Sequence, residues 1–355
     1  MLIYTRKQKL PNGGCSLKPR KYKNIKFSKG ADLMSVIPSK AGAEYYRSFL
    51  TRTGKNCYDK INAQLMCGDY SGKINFKVLS DNMSDAWFDA YKALRLDRPD
   101  YFFLGTRSRY NSVGKDGVFS YDVLYSTKDI KRIQKQLEKC VAEITRSTTR
   151  MNIIEREAVI YERIAKKLTY VDHGQNYDHN IAGPVLFSSG VCEGHNALLL
   201  VCLRKIGIPC IKVDGKGKGG PHSWAIVWLG SETFHCDVTW DNAVSGTVAF
   251  DYFNISDRQI SSDHSDYRST KLPRCTNEQF FYHRYYGLCV SSPTELSSML
   301  RKYSASDRPI RVHLNYKAYN GVYSEVNKAF SAGRVYGSHT VYYNDALNNA
   351  LIMCA

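Results

Sequence analysis

The sequence predicts an α+β protein in which one buried helix packs on an antiparallel sheet, preceded by a helical extension and followed by a small α/β unit. Two observations set the centre of it. From Ala197 to Ile206 the residues are almost all apolar, which suits a buried helix, and Gly207 with Pro209 supplies its stop. Ser223–Leu229 and Thr233–Thr239 are rich in β-formers and flank the turn residues Gly230-Ser231-Glu232, the pattern of a hairpin. A third observation places helices upstream, where apolar residues recur at three- and four-residue spacing between residues 40 and 96. With 355 residues and 43% hydrophobic content, the chain can bury a substantial core.

Residues 1–30 form a basic arm, with nine Lys or Arg and no Asp or Glu, and so hold about half of the net charge of +17. Such an arm could meet nucleic acid or an anionic surface, in which case affinity falls steeply with salt. No nucleic-acid fold signature accompanies the charge, so a solvated, flexible arm is expected. Residues 31–149 read as a helical and hairpin region: helices at Ala43–Leu50, Tyr58–Met66 and Ser84–Leu94, a buried aromatic run Tyr101–Leu104 after Pro99, and a hairpin over 106–125 turning at Gly114–Gly117. Residues 127–146 then carry one apolar stripe, Ile130, Ile133, Leu137, Val141 and Ile144, and predict an amphipathic helix. The break Ser147-Thr148-Thr149 marks the start of a core spanning 150–290, whose first helix runs from Ile153 to Leu168. Residues 291–355 form a small α/β unit, with helices at Glu295–Tyr303 and Tyr323–Phe330, a strand at Ile310–Tyr316, and a hairpin of Thr340–Tyr343 with Ala350–Met353.

Several classes are excluded by composition. No run of about 18 apolar residues occurs, and the N-terminus MLIYTRKQKLPNGG lacks an apolar signal core, so a cytoplasmic protein without a membrane span is expected. Eleven cysteines without any C-x-x-C argue against a zinc ribbon. Cys202, Cys210 and Cys289 lie in apolar strings and read as reduced core thiols.

Chemistry concentrates between Ser189 and Asp241, in three polar words set among apolar residues. In Gly190-Val191-Cys192-Glu193-Gly194, Cys192 starts the buried helix, where unpaired N–H groups and the positive helix end favour a thiolate. Small Gly190 and Gly194 let a substrate carbonyl approach the backbone, and the Cys192 N–H is a candidate oxyanion donor. Pro221-His222-Ser223-Trp224 starts one hairpin strand, and His235-Cys236-Asp237-Val238-Thr239-Trp240-Asp241 ends the other. A loop of two or four residues gives His222 and Asp237 the same facing parity as diagonal neighbours; a three-residue loop puts them on opposite faces. Taken singly, a Cys in a helix or a His at a strand end is ordinary core or surface; the combination is what points to a nucleophile, a base and an orienting carboxylate.

These words resemble the transglutaminase-like superfamily, whose core is papain-like. The order G-V-C-x-G, H-x-W, D-V-T-W-D carries the resemblance, with 30 residues from Cys to His and 15 from His to Asp, over roughly residues 150–260. Asp97-Arg98-Pro99-Asp100-Tyr101-Phe102 is similar to a word upstream of the core in some bacterial members. The resemblance implies an acyl-transfer enzyme in which Cys192 attacks, His222 activates it and Asp237 orients His222. It calls for no cofactor and no metal, and for a protein or peptide substrate. One departure is His195-Asn196, where members often carry an aromatic and a small residue; it bears on the lining of the cleft.

Cleft candidates are Gln175, Tyr177, Gly190, Glu193, His195, Trp224 and Trp240. Gln175 or Tyr177, in the polar connection 172–189, could donate to an oxyanion, although the papain-type position six residues before the nucleophile holds Leu186. Gly215-Lys216-Gly217-Lys218-Gly219-Gly220 looks like a phosphate loop but runs into a strand rather than opening a helix, and reads as a mobile basic wall of the cleft. Asp251–Ser256 and Asp263-His264 resemble how the family core closes and are assigned structural roles. The thioester could be resolved by water or by an amine; water needs no acceptor site, which favours hydrolysis. The rival reading is a non-catalytic binding module acting through its arm and terminal domains.

Overall fold

The computed structural model describes residues 3–6, 44–79, 82–241, 243, 246–267, 271–303, 308–335 and 337–354. Strand β1 (Ile3–Arg6) is the described part of the basic arm, and the rest of that arm lies outside the described residues. Helices α1 (Tyr45–Ser48) and α2 (Arg52–Met66) follow, the latter capped by Thr51, whose Oγ1 accepts from Gly54 N–H at 3.1 Å. Strand β2 (Lys73–Lys77) falls inside the stretch expected to be all helical. Its short alternation buries only Phe76, which lies so close over Gly117 that a Cβ there would meet the ring at 2.3 Å.

Helix α3 (Met83–Asp97) packs Trp87 on Phe76 and Phe119 of a three-stranded sheet made by β2, β3 (Leu104–Val113) and β4 (Asp116–Val123). At its end the buried Asp97 carboxylate accepts the N–H groups of Tyr46 and Arg47 at 2.9 Å each, and so holds α1. Burial pushes that carboxyl up to about 6, against those two donors.

Helix α4 (Thr127–Thr145) buries the expected stripe of Ile130, Ile133, Leu137, Val141 and Ile144. Helix α5 (Ile153–Lys167) starts in a capping box between Asn152 and Glu155. One apolar cluster runs from Cys57 to Phe280, across residue 149, so the extension and the core share their interior. Strand β5 (Thr169–Tyr170), a 3₁₀ turn Asn176–His179, helix α6 (Ala182–Phe187) and strand β6 (Ser189–Gly190) lead to helix α7 (Cys192–Lys205); β5 and β6 pair in parallel.

An antiparallel sheet lies beside α7. Its strands are β7 (Cys210–Gly217), β8 (Gly220–Leu229), β9 (Glu232–Cys236), β10 (Phe253–Ile255) and, after helix α8 (Asp257–Ile260), β11 (His264–Ser265), in the order β10-β9-β8-β7-β11. The Gly-Lys stretch is strand rather than mobile loop: β7 continues through Gly217 and pairs with Gly220, leaving Lys218-Gly219 as the turn, with Gly217 against His222 and Trp240. Ala225, Val227 and Leu229 join the α7 core, while Trp224 and Ile226 enter a second cluster on the other face.

After helix α9 (Tyr282–Tyr285), the chain adds β12 (Cys289–Val290), α10 (Pro293–Tyr303), β13 (Ile310–Leu314), α11 (Val322–Gly333), β14 (His339–Asn344) and β15 (Asn349–Cys354), close to the expected helices and hairpin. Their sheet has the order β1-β14-β15-β13-β12 and a cluster of its own, so β1 closes one edge of the C-terminal unit. Among the described residues no helix is long and apolar enough to cross a membrane. Cys202 and Cys210 are buried free thiols and Cys289 is half-buried.

A fully buried Glu157 on α5 lies beneath the sheet. Asn254 Nδ2 donates to its Oε2 at 2.9 Å, yet burial outweighs that bond and raises the carboxyl to about 8. The folded state therefore binds the Glu157 proton more tightly than the unfolded chain. Stability is expected to decline as pH rises from about 4.5 to about 8, by up to about 1.4 kcal/mol per pH unit from this group. Glu157→Gln keeps an acceptor for Asn254 and should flatten that decline in urea midpoints; an unchanged slope would place the pH dependence elsewhere.

Candidate active site

Cys192 is the first residue of α7, after the extended residue Val191. The N–H groups of Cys192, Glu193 and Gly194 have no intrahelical acceptor, so they point their dipoles past the thiol. Two contacts set this helix start. Val191 N–H donates to the Asp178 carbonyl at 3.0 Å, and Asn196 Nδ2 donates to Ser223 Oγ at 3.1 Å and to the Trp224 carbonyl at 2.7 Å. Asn196 thereby ties the helix that starts at Cys192 to the strand that carries His222. Behind it, Asp178 is a buried carboxylate that accepts the N–H groups of His173 and Gln175 at 2.9 and 3.0 Å.

Gly190 and Gly194 face this turn rather than a substrate. A Cβ on Gly194 would lie 2.9 Å from the Asp178 carbonyl oxygen and 3.0 Å from that of Asn180; on Gly190 it would lie 3.0 Å from the former. Gly194→Ala should cost about 1–3 kcal/mol, because backbone on both sides must move, and should slow alkylation of Cys192 as the first turn shifts. Urea denaturation with parallel labelling reads both.

The hairpin turn is the two-residue Gly230-Ser231, with Leu229 opposite Glu232, so His222 and Asp237 share a face as diagonal neighbours. His222 Nε2 lies 2.6 Å from Asp237 Oδ2, and Cys192 lies close enough to the ring to act on its charge. Both residues are buried, Cys192 at 7% and His222 at 8% exposure. Burial alone would lower the His222 pKa, but the Asp237 bond and the Cys192 contact push it up to about 10. Burial alone would raise Asp237, and the bonds from His222 and His264 hold it down at about 2.

Asp237 is fixed from its other oxygen, where Oδ1 accepts the N–H groups of Thr239 and Trp240 at 3.0 and 3.3 Å. Asp241 closes the same word, taking Tyr161 O–H at 2.7 Å and the N–H groups of Asp251 and Tyr252 at 2.8 Å.

The remaining cleft candidates scatter. Trp224 is sealed in the core, its Nε1–H donated to His235 Nδ1 at 3.0 Å, and it underlies His222 with ring centroids 5.8 Å apart. Bulky apolar surface at a strand interior fills the core before it lines a cleft. His195 is likewise fully buried, and desolvation lowers it to about 4, so it is a neutral ring in the wall between α7 and β5. Trp240 stays half-buried and covers the site, 5.3 Å from His222 and 4.3 Å from His264. Tyr177 packs on Phe187 at 4.8 Å, and Gln175 is exposed.

Glu193 points aside, bonded to His179 Nδ1 at 3.0 Å and Lys212 Nζ at 3.1 Å. It lines a cavity of about 310 Å³ with Ala197 and Leu200, on a face of α7 that does not include Cys192.

His264 is the residue that sequence reasoning placed outside the site. It is buried, with Nε2 3.2 Å from Asp237 Oδ2, on the oxygen that His222 also uses. Those three side chains converge within 4.8 Å, but His222 Nε2 and His264 Nε2 both face Asp237 Oδ2 and donate to it, so neither has a lone pair to offer a metal; His235, Asp257 and Cys275 form a second such set. In the second set Trp224 donates to His235 Nδ1, so the ring proton sits on Nε2, facing Asp257 Oδ1 at 3.0 Å, and that nitrogen has no lone pair to offer.

Residues 138–240 match the model of the transglutaminase-like superfamily, which bears out the resemblance read from the sequence over that core. Among solved structures the chain is similar to one described as a TGase, at 14% identity, covering 47% of this chain and 50% of that one with a TM-score of 0.29. A second is a Cytophaga hutchinsonii protein provisionally described as a cysteine protease, at 14% identity, 40% and 64% coverage and a TM-score of 0.27. The chain thus spans about half to under two-thirds of the length of these two, and likeness at this level says nothing about activity. No curated protein matches the chain.

Proposed function

We propose that this chain is a cysteine-dependent acyl-transfer enzyme acting on peptide or carboxamide groups. The observation that carries the reading is His222, bonded through Nε2 to a buried, doubly anchored carboxylate, with a thiol at a helix N-terminus close enough to act on the ring's charge. Cys192 Sγ attacks the acyl carbon and its proton rests on His222. The developing oxyanion meets the unpaired N–H groups at the start of α7. His222 returns the proton to the leaving amine as the C–N bond breaks, and Asp237 holds the imidazole throughout. The thioester then passes to water, giving an acid, or to an amine, giving a new amide; hydrolysis is our preferred outcome because it needs no acceptor site.

Mass spectrometry of carboxamide-containing peptides, with and without a primary amine, tests this against a Cys192→Ala control. Amide converted to acid, or a cleaved peptide, supports hydrolysis; amine adducts at low amine concentration would assign cross-linking. The low exposure of Cys192 and His222 favours one competing reading, a binding module with a closed cleft. Iodoacetamide near pH 6 separates the two: fast modification of Cys192 alone among eleven cysteines marks an activated nucleophile, and uniform slow labelling marks the binding module.

A further inference from the structure

We propose that His264 is a second positioning residue of this site, a protonated imidazole that shares Asp237 with His222 and limits how tightly that carboxylate holds the His222 proton. The proposal rests on the acyl-transfer reading above.

His264 lies between two carboxylates. Its Nε2 is 3.2 Å from Asp237 Oδ2 and its Nδ1 is 2.6 Å from Asp263 Oδ1. An ionised carboxylate only accepts hydrogen bonds, so both ring nitrogens carry hydrogen and the ring is a cation. Burial would lower its pKa, but the bonds to Asp237 and Asp263 outweigh that and raise it. The surroundings hold the ring in place. Trp240 lies 4.3 Å away and Trp224 meets it edge-on at 4.8 Å. Strand β11 pairs His264 with Gly217, and Lys218 N–H donates to the Asp263 carbonyl at 2.9 Å. Tyr252 O–H donates to Asp263 Oδ2 at 2.5 Å, and Asn344 of β14 donates to that hydroxyl at 3.1 Å.

The consequence concerns proton release. A general acid must give its proton to the leaving amine, and an imidazolium held by a buried carboxylate of its own is a poor donor. With His264 on the same oxygen, Asp237 divides its negative charge between two cations, and the His222 ring also feels a positive charge 5.2 Å away between centroids. Both effects favour release from His222. The titratable groups facing His264 are His222 and Asp237 from the hairpin, Asp263 beside it and Tyr252 before β10; Lys216, paired with Asp266, and Lys218, over Trp240, flank the edge.

Alkylation of the full chain by iodoacetate as a function of pH tests the proposal. The reagent is an anion, so its reaction with Cys192 is favoured while His222 is protonated, and the alkaline limb of the profile reads loss of that proton. His264→Gln should move this limb upward by about one pH unit, because the competing cation is gone. Asp263→Asn keeps an acceptor for Nδ1 but removes the charge that keeps the ring protonated, and should move the limb the same way by less. A purely structural role would lower the unfolding midpoint without moving the limb. If Asp263→Asn is folded and its limb coincides with that of the parent, the proposal is overturned, whether or not His264→Gln folds. Nitrogen-15 spectra of the unaltered protein near pH 7 add an independent reading: protons on both His264 nitrogens support it, and a neutral ring refutes it. If Cys192 of the unaltered protein labels no faster than the other cysteines, it is the acyl-transfer reading that fails.

Discussion

Cys192→Ala is expected to remove acyl transfer to background while leaving the fold intact. The thiol is small and sits at a helix start, so its loss opens little space, and α7 is held from elsewhere by Asn196 on Ser223 and Trp224 and by Arg204 Nη1 on the Asp97 carbonyl at 2.6 Å. Loss of a nucleophile of this kind lowers kcat by about 10⁴- to 10⁶-fold, because the remaining groups stabilise an oxyanion that no longer forms. Cys192→Ser separates two explanations of any residual rate: an alkoxide is harder to generate than a thiolate, so Ser should be nearly as inactive as Ala. Turnover of a carboxamide peptide at equal protein concentration, with far-ultraviolet circular dichroism as the folding check, settles it. Residual turnover within tenfold of the parent would remove Cys192 from the mechanism.

Asp237→Asn should be nearly as damaging to the rate and should also cost stability. Asp237 uses both oxygens as acceptors, Oδ1 for two backbone N–H groups and Oδ2 for two imidazoles. An asparagine has one acceptor oxygen. If it serves the backbone, its NH₂ faces two N–H donors and His222 must give up its tautomer; if it serves the imidazoles, the turn at Thr239-Trp240 loses its partner. A drop of about 10⁴-fold in kcat is expected from the wrong tautomer, with a stability loss of about 3 kcal/mol from breaking a buried ionic cluster.

The pH dependence gives this variant a second signature. Asp237 is held at about 2, below its unfolded value of 3.8, so its contribution is present above pH 3.8 and is lost as pH falls toward 2. His222 is raised from 6.5 to about 10, so its contribution is complete below pH 6.5 and is lost as pH rises toward 10. The cluster therefore stabilises most between about pH 4 and 6.5. Both limbs should shrink in Asp237→Asn, measured as urea midpoints across pH; a parent-like profile would show that the cluster is not ionic.

Local features made much of this readable. An apolar run closed by Gly207 and Pro209 announces α7 and places Cys192 at its start, because helix burial and termination depend on residues a turn apart. The stripe of α4 announces itself in the same way. Strand β2 was hidden because five residues with one buried side chain carry too little periodicity to stand out between two helices. The parity of His222 and Asp237 turned on whether the loop held two residues or three, which Gly230-Ser231-Glu232 does not specify.

What the sequence determined by itself was the set of words: a cysteine at a helix start, a histidine at a strand start, an aspartate one hairpin away, each fixed by neighbours close in the chain. Tertiary structure decided which aromatic rings are core and which cover the site, burying Trp224 and His195 and leaving Trp240 over the imidazoles. It also brought His264, 27 residues beyond Asp237, onto the same carboxylate oxygen. That position follows from β11 joining the far edge of the sheet beside β7, a pairing between segments distant in sequence. Spacing along a chain encodes contacts within a helix turn or a hairpin; contacts made by sheet order depend on which edge a later strand finds, and no local pattern records that choice.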